Sequence, residues 1–302
     1  MRFVERMVHF PRHRISRALL VFACGCLPVH AQLPTFSEGD RLGYFASYKD
    51  RNIEFGITTQ SKVRLMPALS DGLKSTFLGG TYTLEITPQL IATGDDGKTT
   101  VRRIVDSSLT TPDGVTDEFE KATITGEVTG GAKFEYALRQ NRGTLVMGGR
   151  FLNPEETKTP HQFAIAIKFP AQLTSGNLDT LSKLTSAPED DRAARRELRD
   201  FQRDFRSDRL TVRRIDGSET RYPLAEPIEG GVAAINGPGI AELELQSGIY
   251  EARRIVITAQ EGSAITMETT RENLLQPGFT LTWKTDPAKD PEAKAGVAIT
   301  VR

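Results

Sequence analysis

Gln162-Phe163-Ala164-Ile165-Ala166-Ile167-Lys168-Phe169 is the stretch whose reading decides the fold. Its period is two, with Phe163, Ile165, Ile167 and Phe169 on one face and Ala164 and Ala166 on the other, which is the spacing of a β-strand. The second face is apolar as well, so cover is expected on both sides of this strand.

The same period runs outward in both directions. In Thr81–Thr87 (TYTLEIT), Tyr82, Leu84 and Ile86 alternate with Thr81, Thr83, Glu85 and Thr87, giving one buried and one wet face. In the segment from Lys133, Phe134, Tyr136 and Leu138 face inward against Lys133, Glu135 and Arg139. Phe279, Leu281 and Trp283 alternate in FTLTWK, and Val297, Ile299 and Val301 do so in the final GVAITVR. Turn residues separate the runs at hairpin spacing: Gly94-Asp95-Asp96-Gly97, Thr129-Gly130-Gly131, Asp216-Gly217 and Ser247-Gly248. Many short strands so spaced predict an all-β protein, an antiparallel sandwich or barrel, rather than repeated βαβ units.

One segment departs from this pattern. Ser186-Ala187-Pro188-Glu189 reads as a capping box with proline near the helix start. After it, Ala194, Leu198, Phe201 and Phe205 recur at spacings of four, three and four, a narrow apolar stripe on a charged helix of about five turns. Charge pairs such as Asp191 with Arg195 sit at helical spacing. The helix suggests a division into an N-terminal β domain (32–172), a connector with the helix (173–209) and a C-terminal β domain (210–302). The competing architecture is one large β structure with the helix inserted in a long connection. TVRRI occurs at Thr100–Ile104 and again at Thr211–Ile215, which raises a duplicated β unit as a further option.

Residues 1–31 are read as a secretory signal and set apart from the fold. Arg2, Arg6, Arg12, Arg14 and Arg17 precede the uncharged run Ala18–Val29, and Val29-His30-Ala31 fits a small-residue cleavage site, so the mature chain would begin at Gln32. Initiation at Met7 is an alternative. The apolar run is about a dozen residues, short of the roughly 20 that span a bilayer as a helix. Cys24 and Cys26 leave a lipoprotein alternative, in which one becomes the acylated first residue. Phe22 and Ala23 fit that site poorly, so periplasmic or secreted export is preferred over lipid anchoring. With both cysteines in the signal, no disulfide can staple the fold.

The full chain has 39 bases and 39 acids; removing the signal takes five arginines and one acid, leaving 34 bases against 38 acids. Nucleic-acid binding loses its electrostatic footing. His161 is the only histidine beyond the signal, which leaves no ligand set for structural zinc, no thiolate chemistry and no iron–sulfur ligation. No metal or cofactor is expected. A Ser-His-Asp triad would have to use His161, which reads instead as an ordinary residue at the start of an apolar strand.

Several motifs mimic known sites. Ala92–Thr99 (ATGDDGKT) resembles a phosphate-binding loop, but its first glycine is Ala92 and its sequel is strand-like, so it is read as a hairpin turn. Asp95 and Asp96 could place calcium at that tip, although the full spacing of a calcium loop is missing. Asp113, Asp117, Glu118 and Glu120 cluster near a turn, and Glu242 and Glu244 share a strand face about 7 Å apart, a separation that glycoside cleavage allows. The plainer reading of both groups is a wet surface. Sugar platforms favour exposed aromatics; Trp283 falls on a core face, which leaves Tyr44, Tyr48, Tyr222 and Tyr250 as contact candidates. Low aromatic content disfavours a transmembrane barrel. The leading expectation is an exported non-catalytic β-sandwich module for a protein or glycan partner of the cell envelope. The alternative is an exported carbohydrate-active hydrolase or lyase using Asp, Glu or Tyr, and a scaffold or inhibitor of another exported enzyme is a third.

Overall fold

In the computed structural model, residues 33–70, 82–170, 180, 182–204, 207–224, 235, 237–251, 253–260, 263–268, 280–285 and 295–302 are described. The signal segment, with Cys24 and Cys26, lies outside them. Sixteen strands carry the fold: β1 (Tyr44–Lys49), β2 (Ile53–Thr58), β3 (Val63–Pro67), β4 (Leu84–Thr93), β5 (Thr99–Arg102), β6 (Lys121–Glu127), β7 (Lys133–Asn141) and β8 (Thr144–Phe151), then β9 (His161–Lys168), β10 (Arg209–Arg214), β11 (Glu219–Pro223), β12 (Gly237–Gln246), β13 (Arg254–Ala259), β14 (Ser263–Glu268), β15 (Thr280–Thr285) and β16 (Ala295–Val301). Among the described residues, a short helical stretch at 180 and 182–185 precedes the longer charged helix α1 (Arg192–Asp204). The chain is an all-β antiparallel sandwich with one charged helix.

Hydrogen bonding links the strands in the order β1-β2-β3-β4-β9-β15-β14-β12-β13-β16-β8-β7-β6, with β5 beside β4 and with β10 joining β11 to β12. The path doubles back on itself to make two layers. Phe163 of β9 packs on Phe134 and Tyr136 of β7, with ring centroids 6.1 and 6.0 Å apart. Strand β12 turns the corner: Gly237 and Ile240 pair with β14, whereas Glu242–Gln246 pair with β10 and β13. The turn is possible because Gly237 and Gly239 hold positive φ of 118° and 85° where the register shifts, a conformation that side-chain-bearing residues resist. On the opposite side, β1 meets the segment before β6: Ser47 N–H donates to Thr116 O at 2.9 Å, and Phe119 N–H donates to Ser47 O at 3.1 Å.

The division at the helix is corrected by this register. β9 pairs with β15 and β16 pairs with β8, so strands from both sides of α1 share one sheet. They also share one apolar cluster, in which Phe163 and Ile165 lie with Ile257 and Ile299. Ala31–Arg302 is one unit, the competing architecture of the sequence reading. Two β domains would each need a closed core, and neither half has one without the other's strands. Duplication finds no support either, because the two TVRRI copies sit in different surroundings. Val101 is exposed on β5, while the matching Val212 on β10 is buried in the core.

The helix is shorter than expected and starts later. Asp191 Oδ1 accepts from Ala194 N–H at 2.9 Å, so Asp191 is the N-cap, and thirteen helical residues follow. Ser186 belongs to the preceding turn: its N–H donates to Ser182 O at 3.0 Å and its hydroxyl to Lys183 O at 3.2 Å. Ala194, Leu198 and Phe201 are the half-buried stripe, and Phe201 packs against the core cluster. Phe205 lies outside the described residues. Arg195 reaches Glu189 at 3.9 Å, since Asp191 is occupied by capping. No helix among the described residues is long and apolar enough to cross a membrane.

Candidate functional site

The two layers bury their inner faces against each other, so among the described residues the polar side chains gather on the outer faces, edges and turns. On the outer face of the first layer, Ser47, Gly56, Arg64, Glu85 and Lys168 stand in register across β1, β2, β3, β4 and β9. A second row places Thr87 beside Ala166 and Gln89 beside Ala164. Ala164 is 0% exposed and Ala166 6%, although both point away from the core. Ala164 and Ala166 are the small residues of β9, so the outer face is low along that strand beside Thr87 and Gln89, a trough; Gly56 lies three strands away, with Arg64 of β3 and Glu85 of β4 between. The sequence expectation that β9 is covered on both faces is borne out here.

Polar groups line this outer face. Arg64 Nη1 donates to the Tyr44 hydroxyl at 3.2 Å, reaching it on the side of Gly56, which has no side chain to intervene. Glu85 faces Lys62 at 3.9 Å. Glu54, 2% exposed, is held by the Lys49 ammonium at 2.6 Å. A carboxylate so deep would be costly unpaired, and this ion pair is what permits its burial. Ser47 Oγ is buried without a hydrogen-bond partner.

The second layer's outer face is built differently. Glu219 of β11 binds Arg213 of β10 at 2.7 Å and Arg221 at 2.9 Å, and Arg213 reaches on to Glu242 of β12. Glu244 binds Arg254 of β13 at 3.3 Å. The Arg213 hydrogen bond holds the Glu219 carboxyl below its ordinary range, and the same bond raises Arg213. Glu242 and Glu244 therefore share a face as expected, but each is committed to an arginine. At the end of this ladder, Arg209 stands opposite Gln246, and Gln246 opposite Arg254. Arg209 Nε and Gln246 Oε1 are buried without a partner, and each such atom costs about 1–3 kcal/mol.

The other sequence candidates are structural or scattered. Asp113 accepts from Thr111 Oγ1 and from Thr123 N–H, both at 3.1 Å, and so pins the turn to β6. Asp117 pairs with Arg41 at 3.2 Å, while Glu118 and Glu120 are exposed. Asp113 and Asp117 of the cluster are thus engaged, while Glu118 and Glu120 stand exposed on either side of buried Phe119. Asp96 accepts from Lys98 N–H at 3.0 Å and meets its ammonium at 3.1 Å, so a lysine occupies the carboxylate considered for calcium. Asp95 is exposed beside it. Among the described residues no group of three acidic, histidine or cysteine side chains gathers as metal ligands. His161 Nδ1 lies 2.6 Å from Thr159 O, and its ring is 5.2 Å from Phe151, the local structural role expected of it.

The tyrosines divide. Tyr250 is fully buried, donates to Tyr82 O at 3.0 Å, and is pushed up by desolvation; it is not a contact residue. Tyr222 is partly buried against the core. Tyr48 donates to Asp50 at 3.1 Å with the Gln140 amide 2.7 Å away, and burial foremost, then Asp50, raises its hydroxyl. Tyr44, 6% exposed, stands on β1, four strands from β9, with its hydroxyl bound by Arg64. The Trp283 position pairs with Ile165 and Ile265, and its side chain lies outside the described set. Arg64, Ser47, Arg209 and Gln246 were not singled out in the sequence; outward arginines and polar residues are legible there, but the Arg64–Tyr44 bond and the unpartnered atoms of the other three are not.

No protein-family model matches the chain, and no curated protein does. Among solved structures, an alpha-N-acetylgalactosaminidase (NagBb) from Bifidobacterium bifidum in its Gal-NHAc-DNJ complex aligns at a TM-score of 0.49 and 10% identity, over 85% of this chain and 36% of that one. A galactose mutarotase-like protein from Lactobacillus casei aligns at 0.46 and 12%, over 85% and 99%. A galactose mutarotase related enzyme from Lactobacillus acidophilus aligns at 0.40 and 8%, over 85% and 96%. The chain spans about a third of the length of the N-acetylgalactosaminidase. Fold and site are defined by this chain's own register and contacts.

Proposed function

We propose that this chain is an exported, non-catalytic β-sandwich module that binds a glycan in the trough on the first layer's outer face. The observation that carries the reading is the trough itself. Ala164 and Ala166 lower the outer face along β9, and Glu85, Thr87 and Gln89 of β4 with Lys168 of β9 place donors and acceptors beside them. Sugars are held by such convergent polar groups over a shaped surface. The carboxylates considered for hydrolysis point the other way, since Glu242 and Glu244 are neutralised by Arg213 and Arg254. A partner in the cell envelope and release from a signal ending at Ala31 belong to the same proposal.

A second reading has one observation in its favour. Arg64 donates to the Tyr44 hydroxyl, and a cation at a phenol is how a tyrosine-based lyase would prepare a base. The test is to incubate the purified protein with a panel of envelope and environmental polysaccharides, scoring retention on the polymer and released oligosaccharides by mass spectrometry. Retention without release is expected. Release that stops in Tyr44→Phe would replace the binding reading by the lyase one, and absence of both retention and release would remove the glycan altogether.

A further inference from the structure

We propose a second ligand site on the other layer, at Arg209 and Gln246, that takes a small hydroxylated compound bearing an oxyanion, of the sugar-acid type. Arg209, Gln246 and Arg254 are consecutive in register across β10, β12 and β13. Arg302 continues the row, exchanging backbone hydrogen bonds with Arg254 at 2.8 and 2.9 Å. Neighbouring strands lie about 4.8 Å apart, so adjacent members of the row, Arg209 and Gln246, are within reach of a single monosaccharide.

Two atoms in that patch lack partners and ask for opposite things. Arg209 Nε is a buried donor and Gln246 Oε1 a buried acceptor. A simple anion would serve only the arginine, and a neutral sugar would leave the guanidinium without its counter-charge. One molecule with a carboxylate and an adjacent hydroxyl serves both. Guanidinium is the side chain best matched to a carboxylate, through its fixed fork of donors.

The surrounding charges agree. Asp208, next to Arg209, is turned to the turn after β12, where its carboxylate accepts from Ser247 Oγ at 3.1 Å and Gly248 N–H at 2.9 Å. Glu244 is bound by Arg254, and Glu219 and Glu242 by Arg213. Among the described residues, five arginines, at 209, 213, 221, 254 and 302, thus stand on this face with three glutamates that are all engaged. Thr211, 2% exposed on the outward side of β10, is covered by its neighbours, with Arg221 and Glu244 on either side in register.

The test is a calorimetric and NMR titration of the full chain with D-glucuronate, D-glucose and inorganic phosphate as separate probes. Glucuronate is expected to bind, with glucose and phosphate at least tenfold weaker. Arg209→Gln should weaken glucuronate tenfold or more and leave polysaccharide retention by the trough unchanged. Gln246→Glu places a carboxylate beside Arg209; it should abolish glucuronate binding while raising the melting temperature, a combination that misfolding cannot produce. Absence of glucuronate binding overturns the proposal. So does binding indifferent to Arg209→Gln, or phosphate binding as tight as glucuronate. Loss of glucuronate through Arg64→Gln, with Arg209→Gln silent, would place the acid on the first layer's outer face instead.

Discussion

The two outer faces of this sandwich have the same sequence grammar and different surfaces. Glu85, Thr87 and Gln89 on β4 alternate with buried residues, and so do Glu242 and Glu244 on β12. The first group borders a trough, because its neighbours on β9 are Ala164 and Ala166. The second is a ladder of ion pairs, because its neighbours on β10 and β13 bring Arg213 and Arg254. Alternation states which side is not core. What that side becomes is decided by residues across the strand pairs, and topology chooses those.

The most damaging way to break the comparison is to push the layers apart from inside. A Cβ on Gly149 of β8 would run into the Phe163 ring and approach Glu135 O to 2.7 Å. Gly149→Ala should therefore cost about 3 kcal/mol in urea unfolding. Adding Phe163→Leu should recover part of that loss, a coupling that a double-mutant cycle reads directly.

Filling the trough comes next. Ala166→Leu should lower polysaccharide affinity at least tenfold and, because Ala166 is buried, cost about 1–3 kcal/mol of stability, checked by affinity electrophoresis alongside thermal melting. The same substitution should leave glucuronate binding at Arg209 intact, which separates the two faces functionally and shows that the variant is folded.

Breaking the ladder should matter less. Arg213 is about 40% exposed, so its pairs with Glu219 and Glu242 are screened, and Arg213→Gln should cost about 1 kcal/mol at most, shrinking in 1 M salt. The smallest effect is in pH. Glu219, Asp96 and Asp216 are held below their ordinary values, mainly by hydrogen bonds from Arg213, Lys98 and Ser218 respectively. A depressed carboxyl stabilises the fold fully above its unfolded value, about 4. That contribution fades as pH falls through the lower folded value. Unfolding midpoints should drop below about pH 4, and Glu219→Gln should flatten the ladder's share of that drop.

Much of the fold could be read from residues alone, and the reasons for the remainder are physical. Phe134, Tyr136 and Leu138, or Val297, Ile299 and Val301, alternate and are buried as their period requires. The double cover of β9 was legible because two alanines replace the usual polar residues. The merging of the halves was not, since pairing β9 with β15 joins positions more than a hundred residues apart with no local mark. The helix start was misplaced because Ser186 and Glu189 match a capping pattern, while Asp191, the residue that caps, matches a looser one. On the first layer's outer face, Tyr44 was among the sequence candidates. Arg64 was not, because what distinguishes it, a half-buried guanidinium bound to a neutral phenol, depends on Gly56 lying beside it in register.

The most direct measurement is affinity electrophoresis of the wild-type chain and Ala166→Leu through gels carrying the polysaccharides of the panel, with each gel assayed for released oligosaccharide. Retardation of the wild type alone, with the polymer intact, is the expected result. Equal retardation of both proteins, or release of oligosaccharide by the wild type, would contradict a non-catalytic glycan site on the first layer's outer face.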